Sequence, residues 1–471
     1  MTTKNLIGLC TIALWFVLGT STALSQAATE RLRLIQDETR VKLESDRYLK
    51  LASPGEKQID VGGWISFTAL DYRDDEHQKG TPDLLQSLFM QDYRLYVNAL
   101  IDTKLSVYGR VRNMEIAWST APGAIAPDTR QMEGVELDLL FAEFKPDSKV
   151  LLRLGRQFVR AGRGLTLSND LDGLTFQYTE PRWSHRAMIG ETLNRDPNVD
   201  MSIVGFDRST QDRRFYLAET QYRTESGAKY YGYALFQRDR SRSFNFAQNQ
   251  RDFHYDSRYF ALGTEGRFDK RLHYYAELIH ESGSTLADLL GDPRVDIDAD
   301  GALAGLLFYP DLEWHPLATL EYAYGSGDAN RGSVTNTFGG KQTRTDDENF
   351  LYFGTYDGGL ALSPRLSDLQ VIRLGYQIRP LPRKDRKLPD LLVGAKGSRY
   401  LKASIDGIIS DPTATMRSRD VGWGLDLFLA TRPLSDLSLL VQYGRFAPGE
   451  AYPAGARDAA DRLLATLNLS F

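Results

Sequence analysis

Four arginines fall within eleven residues, at Arg153, Arg156, Arg160 and Arg163, in the stretch RLGRQFVRAGRG. A guanidinium is a planar, permanently charged fork that meets a carboxylate or phosphate with two parallel donated hydrogen bonds. Four such groups interleaved with glycines suit the recognition of an anion. Two carboxylates, Asp170 and Asp172, follow shortly after. The whole chain carries a formal net charge of -5, so this positive charge is local, and general nucleic-acid binding is not expected.

Other chemistry has little to work with. The six histidines, His77, His185, His254, His273, His280 and His315, include no H-x-x-x-H pair. No G-x-S-x-G, P-loop or dinucleotide fingerprint occurs. No cofactor and no enzymatic reaction are therefore expected. A barrel hydrolase would need a lipid-facing Ser and His at its rim, and no such arrangement is visible. His273, Tyr275 and Glu277 share one strand face and read as hydrogen-bonded filler. The run DIDADG, Asp296–Gly301, copies the start of a calcium loop, but Leu307 stands where a bidentate Glu should close it. An acidic extracellular loop is expected there instead.

The elements that must position the arginines are legible in the texture of the chain. Lys4, the apolar run Leu6–Leu18 and the small residues after it form a secretory signal pattern over residues 1–27, with cleavage after Ala27. The single cysteine, Cys10, lies inside it, so a mature chain would have no thiol and no disulfide. Residues 28–57 are polar with one modest helical pattern and are expected to form an N-terminal periplasmic segment. Beyond residue 30 no apolar run reaches eighteen residues, so no helix is expected to cross a membrane. A barrel strand, however, crosses with about ten residues, half of them apolar, and escapes a hydropathy scan.

From about residue 58 the chain breaks into segments of roughly ten residues that alternate apolar and polar, separated by Asp, Asn, Gly, Pro and Ser. In VIRLGYQIR, Val371–Arg379, Ile372, Leu374, Tyr376 and Ile378 oppose Arg373, Gly375, Gln377 and Arg379. Leu105–Arg112 puts Arg110 and Arg112 on its polar face, and Val421–Thr431 alternates too, apart from Phe428. Further candidates are 60–72, 92–102, 135–145, 148–158, 173–180, 202–208, 213–223, 228–238, 257–267, 271–281, 302–309, 315–325, 350–356, 400–409 and 437–446. A charged face opposite a strongly apolar one suits a wide barrel with lipid outside and water inside. Tyrosines and phenylalanines at 230–233, 274–275, 322–324 and 352–353 suit interfacial girdles. The expected fold is all-β: a transmembrane antiparallel β-barrel of about eighteen strands over residues 58–471. A soluble sandwich is the alternative. The last segment, LLATLNLSF, alternates and ends on Phe471. It resembles the recognition signal of bacterial outer-membrane barrels, so outer-membrane lipid and the barrel assembly machinery are expected partners.

Three stretches carry a more specific resemblance. GRQFVRAGRG with NDLDGL after it, through Gly155, Arg156, Gln157, Arg160, Gly164, Asp170, Leu171, Asp172, Gly173 and Leu174, resembles the G-R-Q…R…G and D-x-x-I-E-A-L elements of the bacterial alginate export family. GRFAPGEAYPAGARDAADRLLATLNLSF resembles that family's last hairpin. YFGTYDGGLALSPRLSDLQVIRLGY resembles its L-S-D-L-Q step into a strand. Together they span roughly residues 55–471. The departures are Asp138 and Leu139 in place of an Arg-Glu pair, Phe158 in place of an arginine, and Leu440 and Thr466 in place of charged residues.

The resemblance implies an arginine-rich outer-membrane channel for passive export of an anionic, alginate-like polysaccharide, with periplasmic polysaccharide-export proteins as partners. Arg94, in QDYRLYV, matches a pore arginine loosely. Arg153, Arg156, Arg160 and Arg163 are expected at the pore with Arg110, Arg112, Arg373 and Arg379. Asp170 and Asp172 would hold the arginines and limit trapping of the polymer, and Arg344 is a further candidate from the polar loop 327–348. A general anion- or sugar-permeable porin without polymer specificity is the other reading.

Overall fold

A computed structural model describes residues 58–471 other than 75–76, 79–85, 120–128, 133, 194–211, 242–243, 247–248, 252–254, 287–293, 335–336, 338–342 and 381–389. The expected signal peptide 1–27, the segment 28–57 and the candidate strand 202–208 lie outside the described residues.

The strands are β1 (Gln58–Arg73), β2 (Ser87–Leu100), β3 (Leu105–Ser119), β4 (Thr129–Met132), β5 (Glu136–Phe144), β6 (Val150–Arg160) and β7 (Ser168–Thr179). They continue as β8 (Trp183–Thr192), β9 (Arg213–Arg223), β10 (Lys229–Asp239), β11 (Phe244–Phe246), β12 (Asn249–Arg251), β13 (Tyr255–Arg267) and β14 (Leu272–Leu286). The last are β15 (Arg294–Phe308), β16 (Leu317–Gly325), β17 (Leu369–Ile378), β18 (Asp390–Lys402), β19 (Asp420–Arg432), β20 (Leu437–Pro448) and β21 (Ala460–Ser470).

Each strand pairs antiparallel with the next, and β1 closes the ring on β21 from Trp64↔Ser470 to Arg73↔Asp461. The short β4 continues the stave of β5 along β3, and β11 and β12 form a separate hairpin. The barrel therefore has eighteen staves. No described helix is long and apolar enough to cross a membrane; the strands do so.

Alternation decides which way each residue points. On β1, Ile59 and Val61 are exposed while Trp64, Ser66, Thr68, Leu70 and Tyr72 are buried. On β17, Ile372, Leu374 and Tyr376 face out while Val371, Arg373 and Gly375 face in. The outward band of Leu, Ile, Val and Phe is what hydrocarbon requires, and the polar residues turn inward. Short turns and the chain's last residue share one end, the periplasmic end of such barrels. Trp183, Phe268, Phe308, Trp314 and Phe471 are exposed near that rim, as an aromatic girdle requires.

Several expectations are corrected. FLYFGTY, 350–356, is not a strand; it lies inside the barrel, buried on all sides, which is why its apolar run does not alternate. Tyr231, Tyr233, Tyr275, Tyr352 and Phe353 consequently belong to the interior and not to a girdle. The stave near 400–409 is β18, Asp390–Lys402, which begins ahead of that segment and ends inside it. β8 escapes the pattern because His185 on its outer face and Met188 on its inner face break the alternation. The acidic run Asp296–Gly301 is no loop: it lies on β15, with Asp296, Asp298 and Asp300 outward and Val295, Ile297 and Ala299 buried inward. An extended strand cannot wrap an ion as a calcium loop does.

Candidate functional site

The lumen is narrowed by two chain segments that fold into it. The first is 161–167, between β6 and β7. Ala161, Leu165, Thr166 and Leu167 are fully buried. Gly162 and Gly164 have φ of 48° and 90°, the left-handed region that glycine reaches without strain. A Cβ on Gly162 would collide with the Glu277 carboxylate. The second segment is 343–368. It runs beside the first, with Phe353 N donating to Thr166 O and Thr355 N to Gly164 O, both at 3.0 Å.

This second segment bridges the barrel. Phe353 packs on Phe215 of β9 and Tyr255 of β13, and Phe350 on Tyr259 of β13. Leu360 clusters with Leu70, Tyr72, Leu88, Met90, Met114 and Leu464 of the opposite wall. Leu360 N also donates to Asp426 of β19 at 3.0 Å. The lumen at that level is a packed interior, and passage is confined to what the two segments leave open.

A charged and aromatic track lines the free surface. Arg163, at the tip of the first segment, lies over the Tyr275 ring with its guanidinium carbon 3.6 Å from the centroid. Its backbone N donates to Glu277 at 2.9 Å, and its side chain pairs with Glu265 at 3.4 Å. Lys229 reaches the other oxygen of Glu265 at 2.7 Å. The Tyr275 hydroxyl donates to Glu321 at 2.6 Å. Arg373 donates to Glu321 at 3.4 Å and to Ser398 at 3.1 Å. Tyr356 also donates to Glu321, at 3.3 Å, and Lys396 pairs with Asp357 at 3.3 Å. Burial drives the Tyr356 phenol well above its ordinary range, so it is a neutral donor. Arg163, Lys229 and Lys396 keep water contact.

The other expected residues divide. Arg94, Arg110 and Arg112 do come together on the inner face, but around Asp92 and Asp138. Arg94 meets Asp92 at 2.9 Å and Asp138 at 3.3 Å, Arg112 meets Asp92 at 3.2 Å, and Arg110 bonds Asp138. Asp138 reaches them because a bulge opposite Arg110 and Val111 skips it in the register. Arg94 and Arg110 are buried and also face the Trp64 ring. Arg153 points inward, pairs with Glu143 at 2.6 Å and faces Phe141.

Arg156 is on the other side of the wall. It sits opposite Leu140 of β5 and Asp172 of β7, in step with Leu154, which is 64% exposed. Gln157 is the inward residue, buried against Thr175. Arg156 and Asp172 form a two-pronged pair at 2.9 and 3.0 Å on the outer face, and Asp170 shares that parity opposite Phe158. Arg160 caps the turn, donating to the Arg163 carbonyl. Arg344 is exposed on the 343–346 stretch. Arg379 lies just past the end of β17, its N donating to Trp314 O at 2.7 Å.

Among residues the sequence did not single out, Arg186 points inward to Glu219 at 2.6 Å, and Lys229 and Lys396 extend the track. Lysines sharing strand parity with inward polar residues were the available signal: Lys229 at the start of β10 and Lys396 in the middle of β18. At the other end of the barrel, His77 and Tyr452 both bond Asp411, at 3.1 and 2.8 Å, tying three loops together.

Comparison with solved structures identifies the fold. Pseudomonas aeruginosa OccK5 (OpdH) superposes with a TM-score of 0.55 at 11% identity, over 88% of this chain and 98% of that one. Acinetobacter baumannii OccAB1 gives 0.54 at 11%, over 89% and 98%. Pseudomonas aeruginosa OpdK, crystallised with vanillate, gives 0.50 at 11%, over 88% and 98%. No curated protein sequence matches the chain. In sequence, residues 81–466 match the alginate export family. With most of its length so matched, and with eighteen staves closed around a narrowed lumen, the chain belongs to the alginate export family as an outer-membrane, porin-like channel.

Proposed function

We propose that the channel passes an anionic, alginate-like polysaccharide out of the periplasm, and that the polymer's carboxylates step along the track at Arg163, Lys229 and Lys396, with Arg373 buried behind them. The observation that carries this reading is the position of Arg163. A guanidinium on a glycine-flanked tip, backed by an aromatic ring and still wet, can meet a passing carboxylate and release it. Every cation of the track also has a carboxylate partner, so a uronate competes with an internal acid. That keeps each contact weak, as conduction requires. Arg153 and Arg112 extend the same positive face toward Arg94 and Arg110, which brace it through Asp92 and Asp138.

A second reading has its own support. The segment 343–368 spans the lumen, and a likeness in fold extends to OpdK, crystallised with vanillate. A channel for single small carboxylates would need no more room. Flux from loaded vesicles separates the two. The exporter reading expects oligouronates of several residues to leave through the reconstituted protein. Release of small carboxylates alone, with oligouronates retained, would overturn it.

A further inference from the structure

The outer wall carries a feature that conduction does not use. Between β9 and β16 a groove of about 730 Å³ opens on the lipid-facing side. Its floor is Ala218, Gly232 and Ala234, and Phe260, Leu262 and Leu278 rise around it. Strand parity fixes this face: Tyr231, Tyr233 and Leu235 are buried inward while Phe236, Phe260, Leu262 and Leu278 are exposed. Small residues at these neighbouring positions leave a channel between the bulky side chains around it.

At the upper edge of this groove stand Arg238 and Arg258. Arg258 is opposite Phe236 in the register and one pleat above Phe260; Arg238 is one pleat above Phe236. Both are exposed, and among the described residues neither has an ion-pair or side-chain hydrogen-bond partner. On the adjoining β9, Arg214 pairs with Glu191, and farther round the wall Arg156 of β6 pairs with Asp172. Of the acidic side chains nearby, Asp300 lines the groove and is bonded to His280 at 3.2 Å, and Asp256, two residues before Arg258 on the same face, accepts from Asp239 N at 2.9 Å.

We infer that this groove is a binding site for a phosphate-bearing lipid of the outer leaflet, with acyl chain along Ala218, Gly232 and Ala234 and phosphate on Arg238 and Arg258. A guanidinium left unpaired at the edge of hydrocarbon needs an anion at that height, and a lipid phosphate is there in the leaflet itself. The groove supplies the apolar contact, and the two forks supply the choice of headgroup.

Native mass spectrometry of the full chain, exchanged into detergent with equal amounts of bisphosphorylated lipid A, dephosphorylated lipid A and phosphatidylethanolamine, tests this. The expected result is retention of one bisphosphorylated lipid, preferred by roughly tenfold. Arg238→Ala with Arg258→Ala should abolish the preference, Arg238→Lys with Arg258→Lys should keep most of it, and Ala234→Trp should remove the lipid altogether. Heat-modifiable mobility reports that each variant is a folded barrel. Retention blind to the phosphate, a preference unchanged in the alanine pair, displacement by inorganic phosphate alone, or a second copy of the chain seated on this face would each overturn the inference.

Discussion

The guanidinium of Arg163 lies 3.6 Å from the centre of the Tyr275 ring while its own backbone N donates to Glu277. The tip is thus fixed at its backbone and cushioned at its side chain, a cation–π contact worth about 0.5–2 kcal/mol. Arg163→Ala should lower the preference for anions, read as a shift of reversal potential in a salt gradient. Arg163→Lys should keep most of the selectivity, since the charge remains. Equal selectivity in all three proteins would remove Arg163 from the conduction path.

Arg156 makes the opposite prediction. Its pair with Asp172 is on the outer face and partly exposed, where such pairs contribute about 0–1 kcal/mol. Arg156→Ala should leave selectivity and conductance as they are. A loss of anion selectivity comparable to that of Arg163→Ala would mean that the strand is turned the other way.

Arg110 is buried, bonded to Asp138 and packed against Trp64. Its removal leaves the buried Asp138 with Arg94 alone, at 3.3 Å, a partial loss of a buried pair whose complete breakage costs roughly 3–5 kcal/mol. Arg110→Ala should therefore lower the unfolding midpoint in denaturant markedly. Arg110→Ala with Asp138→Ala should recover part of that loss. A single variant as stable as the parent would show the cluster to be dispensable.

Asp368, just before β17, is fully buried between Gly327 and Gly407. Burial raises its carboxyl to about 7, although Ser404 N donates to it at 2.6 Å. Because the folded value lies above the unfolded one, its ionisation works against the fold. The penalty is absent below pH 3.8, grows through the window from there to about 7, and is constant above. Its ceiling is about 4 kcal/mol. Asp368→Asn should flatten this part of the stability profile and gain most at pH 8. A profile unchanged by the substitution would refute the assignment.

Much of the barrel was legible because lipid imposes a strict rule on every second residue. Val371–Arg379 alternates as read, and Arg373 faces inward as its parity says. Parity also contains the error about Arg156: Leu152 and Leu154 are apolar at alternate positions and put Arg156 with the lipid face. The charge of the stretch suggested the lumen, whereas the structure uses that charge at the outer rim. Phe350–Tyr356 was illegible for a different reason. Aromatic residues in a row fit a strand or a segment buried on all sides, and only tertiary packing chooses. The path of 161–167 into the lumen depends on Gly162 meeting Glu277 of β14 and Gly164 meeting Thr355 of the second inner segment, and no local pattern records that meeting.

The most direct measurement is single-channel current through the refolded protein in a planar bilayer, with oligouronates added on the periplasmic side, beside Arg163→Ala and Arg156→Ala. The account predicts an anion-selective channel that oligouronates block, with block and selectivity weakened in Arg163→Ala and intact in Arg156→Ala. A large unselective conductance, indifferent to oligouronates and to both substitutions, would contradict it and leave a general porin.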